Sequence, residues 1–514
     1  MRRTYVLLVL DGWGIGKKDH SNPLFVQKPK NIEALRREFP SGSLQASGIA
    51  VGLPWEEEGN SEVGHLTLGA GRVLYQHYPR ITIAIRDGSF FKNEALLGAM
   101  NHAKAMNSRL HLVGLLTLGN VHASLGHLQA LLELAKREGV PNVALQLFVD
   151  GKDSPPKSVR ELLAKLDGAG PLVASVSGRY YAMDRDRHFD RTERTYRVLL
   201  GEGDAAESVE AAVGAAYQRN LTDEFLPPVR IGAEPRGIQP NDAVIFFNFR
   251  EDSMRQITEP FLKPGFDAFP VQPRENLYVA TMTLYEERFE NPVAFPSERV
   301  EESLGKALSD TGRIQLRIAE TEKYAHVTYF FNGYKDQPFK NEYRVLIPSK
   351  NVPHHDEHPE MMAREITDRV LQAIEEGGYD FVLVNFANPD IIAHTGNFEA
   401  AQKAVQVVDE NIGRIVQSVL AANGVLLVTS DHGNVERMLD PLTGTPETKH
   451  DPNPVPVYLI AKEYARARDP EEAEQNEKIS IGTLADVTPT ILDLMGIPKP
   501  KEMGGQSLLS TLPL

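Results

Sequence analysis

Three carboxylates and three imidazoles of this sequence stand where they could grip metal ions. Asp11 follows the apolar run 5–10, Asp390 follows 381–386, and Asp431 with His432 follows 425–429. In open parallel sheets ligands gather beyond the carboxyl ends of strands, so three such ends predict convergence. Asp11-Gly12 taken alone is an ordinary turn. Asp390 and His394 are four residues apart, which puts a carboxylate and an imidazole on one face of a helical turn. His450 precedes the apolar run 454–460. Six oxygen and nitrogen ligands exceed what one catalytic ion with open positions uses, and suit two. Their type admits manganese or zinc. His354, His355 and His358 form another cluster, but beside Pro353 and Asp356 they read as a solvated loop.

Ser61 lies in Gly59-Asn60-Ser61-Glu62-Val63-Gly64-His65, a glycine-flanked stretch that reads as a tight turn presenting a hydroxyl. A serine alcohol is a weak nucleophile until a base or metal activates it, and two divalent ions would also neutralise a phosphoryl group. Arg179, Arg185, Arg187, Arg191, Arg194 and Arg197 interleave with Asp184, Asp186, Asp190 and Glu193, much of it a solvated helix face. Arg179 follows Ser177-Gly178 after a strand, and Arg250 follows the apolar run 243–249. Both are placed as ligand-facing forks suited to carboxylate or phosphate. His122, Lys152, Asp153 and Lys323 also fall in loops near strand ends, where each alone would pass as a surface residue.

The positioning elements follow from periodicity. Apolar runs at 5–10, 109–116, 143–149, 172–176, 243–249, 277–285, 381–386 and 425–429 predict buried strands. Spacing at 33–39, 128–138, 359–376 and 399–422 predicts helices. Their alternation predicts α/β layers on largely parallel sheets. Hinges near 76–80 and 291–297 would make 78–297 an insertion in a discontinuous domain built from 1–77 and 298–514. The composition, 41% apolar and 24% charged over 514 residues, excludes a disordered or fibrous chain. The net charge of −15 argues against a general nucleic-acid binder. Cysteine is absent, which excludes disulfides, thiolate zinc sites, iron–sulfur clusters and cysteine nucleophiles. No apolar run reaches the roughly 18 residues of a membrane span, and the N-terminal run is too short for a signal peptide. A cytoplasmic protein without membrane contact is expected.

With these residues assembled, the sequence resembles the 2,3-bisphosphoglycerate-independent phosphoglycerate mutases of the alkaline phosphatase superfamily over essentially its whole length. The resemblance rests on Leu-Asp-Gly-Trp-Gly at 10–14, the Ser61 motif at 59–65, Gly-Arg-Tyr-Tyr-Ala-Met-Asp-Arg-Asp at 178–186 and Phe-Phe-Asn-Phe-Arg at 246–250. It continues through Glu-Thr-Glu-Lys-Tyr-Ala-His at 320–326, Asn-Phe-Ala-Asn-Pro-Asp at 385–390 and Asp-His-Gly-Asn at 431–434. It implies a phosphatase domain from both chain ends, an inserted transferase domain, two manganese ions, no bisphosphoglycerate and a monomer. Asp11, Ser61, Asp431 and His432 would hold one ion, and Asp390, His394 and His450 the other. Ser61 would carry the phosphoryl group between 3- and 2-phosphoglycerate. His122, Lys152, Arg179, Arg185, Arg250 and Asp153 would hold the glycerate, Asp153 as proton acceptor, and Lys323 would steady the phosphoryl group.

The pattern departs at Lys152, where the family has Arg, and at Ser253, where a second substrate Arg is expected. It departs again in 117–124, which keeps His122 but loses an Asp and a second His. Ser253→Arg is therefore expected to raise the efficiency with 3-phosphoglycerate if that is the true substrate. Two rivals remain: a phosphatase or mutase acting on another small phosphate ester, and a catalytically silent metal-binding scaffold.

Overall fold

Tyr5–Leu10 is apolar at every position because both of its faces are covered. It pairs in parallel with Phe381–Phe386 on one side and Val425–Thr429 on the other. The three strand ends carrying Asp11, Asp390 and Asp431 are thereby brought side by side. The computed structural model describes residues 3–166, 172–234 and 236–514. The chain divides into two compact units, one reaching to Tyr75 and resuming at Arg299–Leu514, the other Gln76–Glu298. It is an α/β protein with two largely parallel sheets. No helix among the described residues is long and apolar enough to cross a membrane.

The first unit holds an eight-stranded sheet. Its order is Glu342–Ile347, Gln315–Glu320, Phe381–Phe386, Tyr5–Leu10, Val425–Thr429, Val455–Ile460, Ser41–Gln45 and Ser480–Thr483. Val455–Ile460 runs antiparallel to both neighbours. Helices Ala363–Glu376 and Phe398–Ala421 pack Ile366, Val370, Val405 and Ile412 against Val6, Leu8 and Val384 on one face. Leu304, Val487 and Ile491 cover Leu7, Val9 and Leu383 on the other.

The second unit holds a seven-stranded sheet. Its order is Ala205–Ala206, Val229–Ile231, Leu172–Gly178, Val143–Val149, Leu110–Leu116, Ala243–Phe246 and Tyr278–Thr281, with Leu172–Gly178 and Val229–Ile231 antiparallel.

Three elements differ from expectation. The strand expected over 243–249 stops at Phe246, and that over 277–285 is confined to Tyr278–Thr281. The buried Tyr285 hydroxyl contacts the carbonyls of Phe246 and Asn248 instead of a ladder partner, so these apolar residues pack as a loop. The helix expected over 359–376 begins at Ala363. Gln315–Glu320 was not foreseen because buried polar side chains, Gln315 and Arg317, interrupt the apolar run by which the other strands are read. Arg317 is 0% exposed, its guanidinium 4.7 Å from the Phe331 ring and 5.5 Å from that of Phe381.

Candidate active site

Ser61 is not in a turn. It is the first residue of helix Ser61–Ala70, capped by Asn60, whose side chain accepts from the Val63 amide at 3.0 Å. The serine thus sits at the positive end of a helix, a place that favours an anion. Its Oγ is 2.6 Å from Lys323 Nζ, 2.9 Å from His432 Nε2 and 3.0 Å from Asp11 Oδ1. Lys323 comes from the turn Thr321–Lys323 that follows Gln315–Glu320, and also donates to Asp11 Oδ1 at 2.6 Å and Asp390 Oδ2 at 2.7 Å. Burial alone would raise the pKa of Asp11, but Lys323 and His432 hold it far below the ordinary range. Burial works against the Lys323 charge too, and Asp11, Asp390 and Asp431 keep it well above the usual ammonium range.

Asp390 lies in the short helix Asn388–Ala393, and His394 follows at its end, so the expected spacing does place both on one turn. His394 Nδ1 is 2.9 Å from the Thr448 carbonyl, and His450 Nδ1 is 2.8 Å from the Gly59 carbonyl. Carbonyls only accept, so both Nδ1 atoms carry a ring proton and both Nε2 atoms are left to face the site. Those Nε2 atoms are 3.0 Å apart, and each is 3.3 Å from Asp390 Oδ1. One carboxylate oxygen and two ring nitrogens thus converge on one point, and contact with Asp390 holds the His394 pKa above its ordinary value, favouring a proton that a bound cation would replace. His432 Nδ1 similarly faces the Gly433 carbonyl at 3.1 Å. Its Nε2 lies 3.5 Å from Asp11 Oδ1, 3.6 Å from Asp431 Oδ2 and 3.8 Å from Asp390 Oδ1. Asp431 Oδ2 is buried and accepts no hydrogen bond, although His65 Nδ1, which bonds the Ser61 carbonyl, lies 3.1 Å away. Three buried carboxylates facing one buried ammonium leave an excess of negative charge, and the donor set is all oxygen and imidazole. The residues fit divalent cations.

Two groupings of ligand atoms emerge, Asp390 with His432 and His450, and Asp11 with Asp431 and His432. His432 belongs to both. A third grouping, Asp184, Asp186 and His188, lies in the other unit, where Asp184 already accepts from Arg191 at 3.0 Å and Gln256 at 2.9 Å. His355 and His358 do not converge; they face Glu322 at 3.9 Å and Glu360 at 3.5 Å respectively.

Several residues that steady this site were not singled out from the sequence. Asn385, inside strand Phe381–Phe386, donates to Asp11 Oδ2 at 2.7 Å and faces His65 Nε2 at 3.1 Å. Asn434 donates to Asp390 Oδ1 at 2.8 Å. Glu436 accepts at Oε2 from the amides of Gly14 and Asn434, tying the loop after Asp11 to the loop after His432.

In the second unit, His122, Lys152, Asp153, Arg179, Arg185, Arg250 and Ser253 line one cavity of about 400 Å³. Arg179 Nη1 donates to Asp150 Oδ1 at 2.6 Å and Asp153 Oδ2 at 2.7 Å, and its Nη2 to His122 Nε2 at 2.9 Å. Arg185 and Arg250 both approach Asp252, at 2.5 and 3.2 Å. Arg255 opens helix Arg255–Leu262 and donates to the Tyr285 carbonyl at 3.0 Å. Asp150 was missed. It is buried at the end of strand Val143–Val149 and holds Arg179, the Thr117 hydroxyl and the amides of Lys152 and Asp153. Its signal, an apolar run ending in Asp-Gly, is the one that marked Asp11.

The fold and its carboxylate–imidazole centre are those of a metal-dependent enzyme, and the Metalloenzyme superfamily profile matches residues 3–499. A 2,3-bisphosphoglycerate-independent phosphoglycerate mutase of Methanosarcina barkeri is 46% identical over 531 aligned residues, covering 99% of each chain. Another of that name, from Moorella thermoacetica, is 46% identical over 521, again covering 99% of each chain. The solved structure of a Leishmania mexicana phosphoglycerate mutase, described at low cobalt concentration, is 30% identical with a TM-score of 0.52, covering 98% of this chain and 97% of that one. The chain belongs to the 2,3-bisphosphoglycerate-independent phosphoglycerate mutase family. Membership carries the isomerase class and divalent-metal binding with it.

Proposed function

We propose that the chain interconverts 3-phosphoglycerate and 2-phosphoglycerate through a phosphoserine at Ser61, with two manganese ions and without bisphosphoglycerate. The observation that carries this is the convergence of Lys323 Nζ, His432 Nε2 and Asp11 Oδ1 within 3.0 Å of Ser61 Oγ. Asp11, Ser61, Asp431 and His432 would hold one ion and Asp390, His394 and His450 the other; when bound, the ions supply charge neutralisation and lower the serine pKa.

In the first half-reaction Ser61 Oγ attacks phosphorus and the bond from phosphorus to the 3-oxygen of the substrate breaks, the 3-oxygen leaving as a hydroxyl with a proton from the Asp153 carboxyl, which recovers it from the 2-hydroxyl in the second half-reaction. The serine proton has an acceptor within reach in the Asp11 carboxylate, 3.0 Å from Oγ. Lys323, held charged, faces the negative charge that develops on the transferring group. The released glycerate is held by the arginine-lined cavity of the second unit, where Arg179 and Arg250 offer forks to its carboxylate. In the second half-reaction Asp153 takes the proton of the 2-hydroxyl, that oxygen attacks phosphorus, and Ser61 leaves and regains its proton. On this reading the unit containing Ser61 does the phosphatase chemistry, and Gln76–Glu298 retains and presents the glycerate.

The test is phosphorus NMR of purified protein with 3-phosphoglycerate and manganese, without bisphosphoglycerate. Accumulating 2-phosphoglycerate supports the proposal. Inorganic phosphate alone supports a phosphatase, and no reaction supports the silent scaffold. Lys152 and Ser253, departures inside the cavity, make a different phosphate ester the alternative to try next.

A further inference from the structure

Ser253 closes the short turn Glu251–Ser253 and is 2% exposed. Its Oγ is 3.0 Å from His122 Nδ1 and 3.1 Å from the Arg250 carbonyl. Donor and acceptor accounting here has one solution. The Arg179 guanidinium only donates, so His122 Nε2, 2.9 Å from it, is an acceptor. A neutral ring with an accepting Nε2 carries its proton on Nδ1. That proton goes to Ser253 Oγ, and the serine hydrogen goes to the Arg250 carbonyl, which can only accept. We propose that Ser253 is a positioning residue of the cavity: its hydroxyl holds His122 as the neutral Nδ1–H tautomer, with the Nε2 lone pair turned to Arg179. The role in binding glycerate rests on the function proposed above; the tautomer does not.

An arginine at 253 cannot fill this role. A guanidinium offers five donors and no acceptor, so it would meet the Nδ1–H of His122 donor to donor in a buried place. The ring would have to turn over or be displaced, and Arg179 would lose the acceptor that fixes its third corner. On this proposal Ser253→Arg lowers the efficiency with 3-phosphoglycerate, the opposite of what the family pattern alone leads one to expect. Burial and the neighbouring Arg179 hold the His122 pKa down at about 4, so the ring stays neutral through ordinary pH.

The test uses the full chain labelled with ¹⁵N-histidine. Long-range proton–nitrogen spectra report which ring nitrogen is protonated, and the His122 signals are those that vanish in His122→Gln. In the wild type we expect a protonated Nδ1 and a bare Nε2, unmoved from about pH 5.5 to 8. In Ser253→Ala, which removes one oxygen and adds no bulk, the ratio of the two tautomers should change about fivefold or more, because a buried donor has lost its acceptor. A wild-type ring protonated on Nε2, or a Ser253→Ala spectrum matching the wild type, overturns the proposal. Kinetics are read separately: Ser253→Arg should lower kcat/KM with 3-phosphoglycerate, and a rise would overturn it. If the wild type turns over no phosphoglycerate, the function proposal fails while the spectra still decide this one.

Discussion

Lys323 Nζ and Ser61 Oγ lie 2.6 Å apart, with both residues almost wholly buried. The ammonium donates to the oxygen that is the proposed nucleophile and sits among carboxylates that keep it charged. Lys323→Met keeps the stem and removes the charge. Its kcat should fall about 10²- to 10³-fold at saturating manganese, the scale for losing one donor to a developing charge. Steady-state assays check this, and an unchanged kcat would mean that Lys323 only balances charge.

Metal removal should abolish turnover, and manganese should restore it. Elemental analysis of desalted, manganese-loaded protein should approach two ions per chain; a plateau at one would contradict the two-ion centre. Binding should also expel protons. Burial disfavours a charged His432, but Asp431, Asp11 and Asp390 push its pKa up to about 10 in the metal-free chain. It therefore holds a proton at neutral pH, and affinity should rise with pH. Calorimetry in two buffers of different ionisation heat should show about one or more protons released per chain at pH 7.5.

Glu436 gives a pH dependence of stability. Burial first, and Asp451 second, raise its pKa from 4.5 to about 7. The folded chain then binds this proton more tightly than the unfolded one. The stabilisation is present below the unfolded value and lost as pH rises through about 7, on the order of 3 kcal/mol at most. Glu436→Gln keeps an acceptor for Gly14 and Asn434 but cannot ionise. Its Tm relative to the wild type should rise between pH 5 and 8, and a difference that stays flat or falls would contradict this assignment.

Asp150 and Asp153 share Arg179 but should fail differently. Asp150→Asn weakens the anchor of Arg179 and should raise KM several-fold, with a smaller effect on kcat. Asp153→Asn removes the proposed proton acceptor and should cut mutase kcat about 10²- to 10⁴-fold while Ser61 still becomes phosphorylated. Rapid-quench kinetics separate the two, and matching defects in both variants would argue for a purely structural pair.

The three strand ends were legible because Tyr5–Leu10, Phe381–Phe386 and Val425–Thr429 are buried on both faces and so read as mainly apolar runs with an acid at or a few residues beyond their ends. Asp150 carried the same signal and was passed over in favour of Lys152 and Asp153 in the same loop, because its burial at the strand end cannot be read from an Asp-Gly pair. Ser61 was misplaced in a turn because its glycines outweighed Asn60, the cap that starts the helix. Gln315–Glu320, which leads to Lys323, hides behind Gln315 and Arg317, polar residues whose burial depends on distant Glu342 and aromatic neighbours. The relay through Ser253 was illegible, since an absent arginine says nothing of the acceptor that takes its place.

The most direct test follows the phosphoryl group itself. Protein with manganese is mixed with 3-phosphoglycerate carrying a radioactive phosphorus, quenched in acid within a turnover, digested and mapped. The account predicts label on the peptide containing Ser61, chased into 2-phosphoglycerate by unlabelled substrate, and neither label nor product in Ser61→Ala. Turnover without label at Ser61, or product from Ser61→Ala, would contradict it.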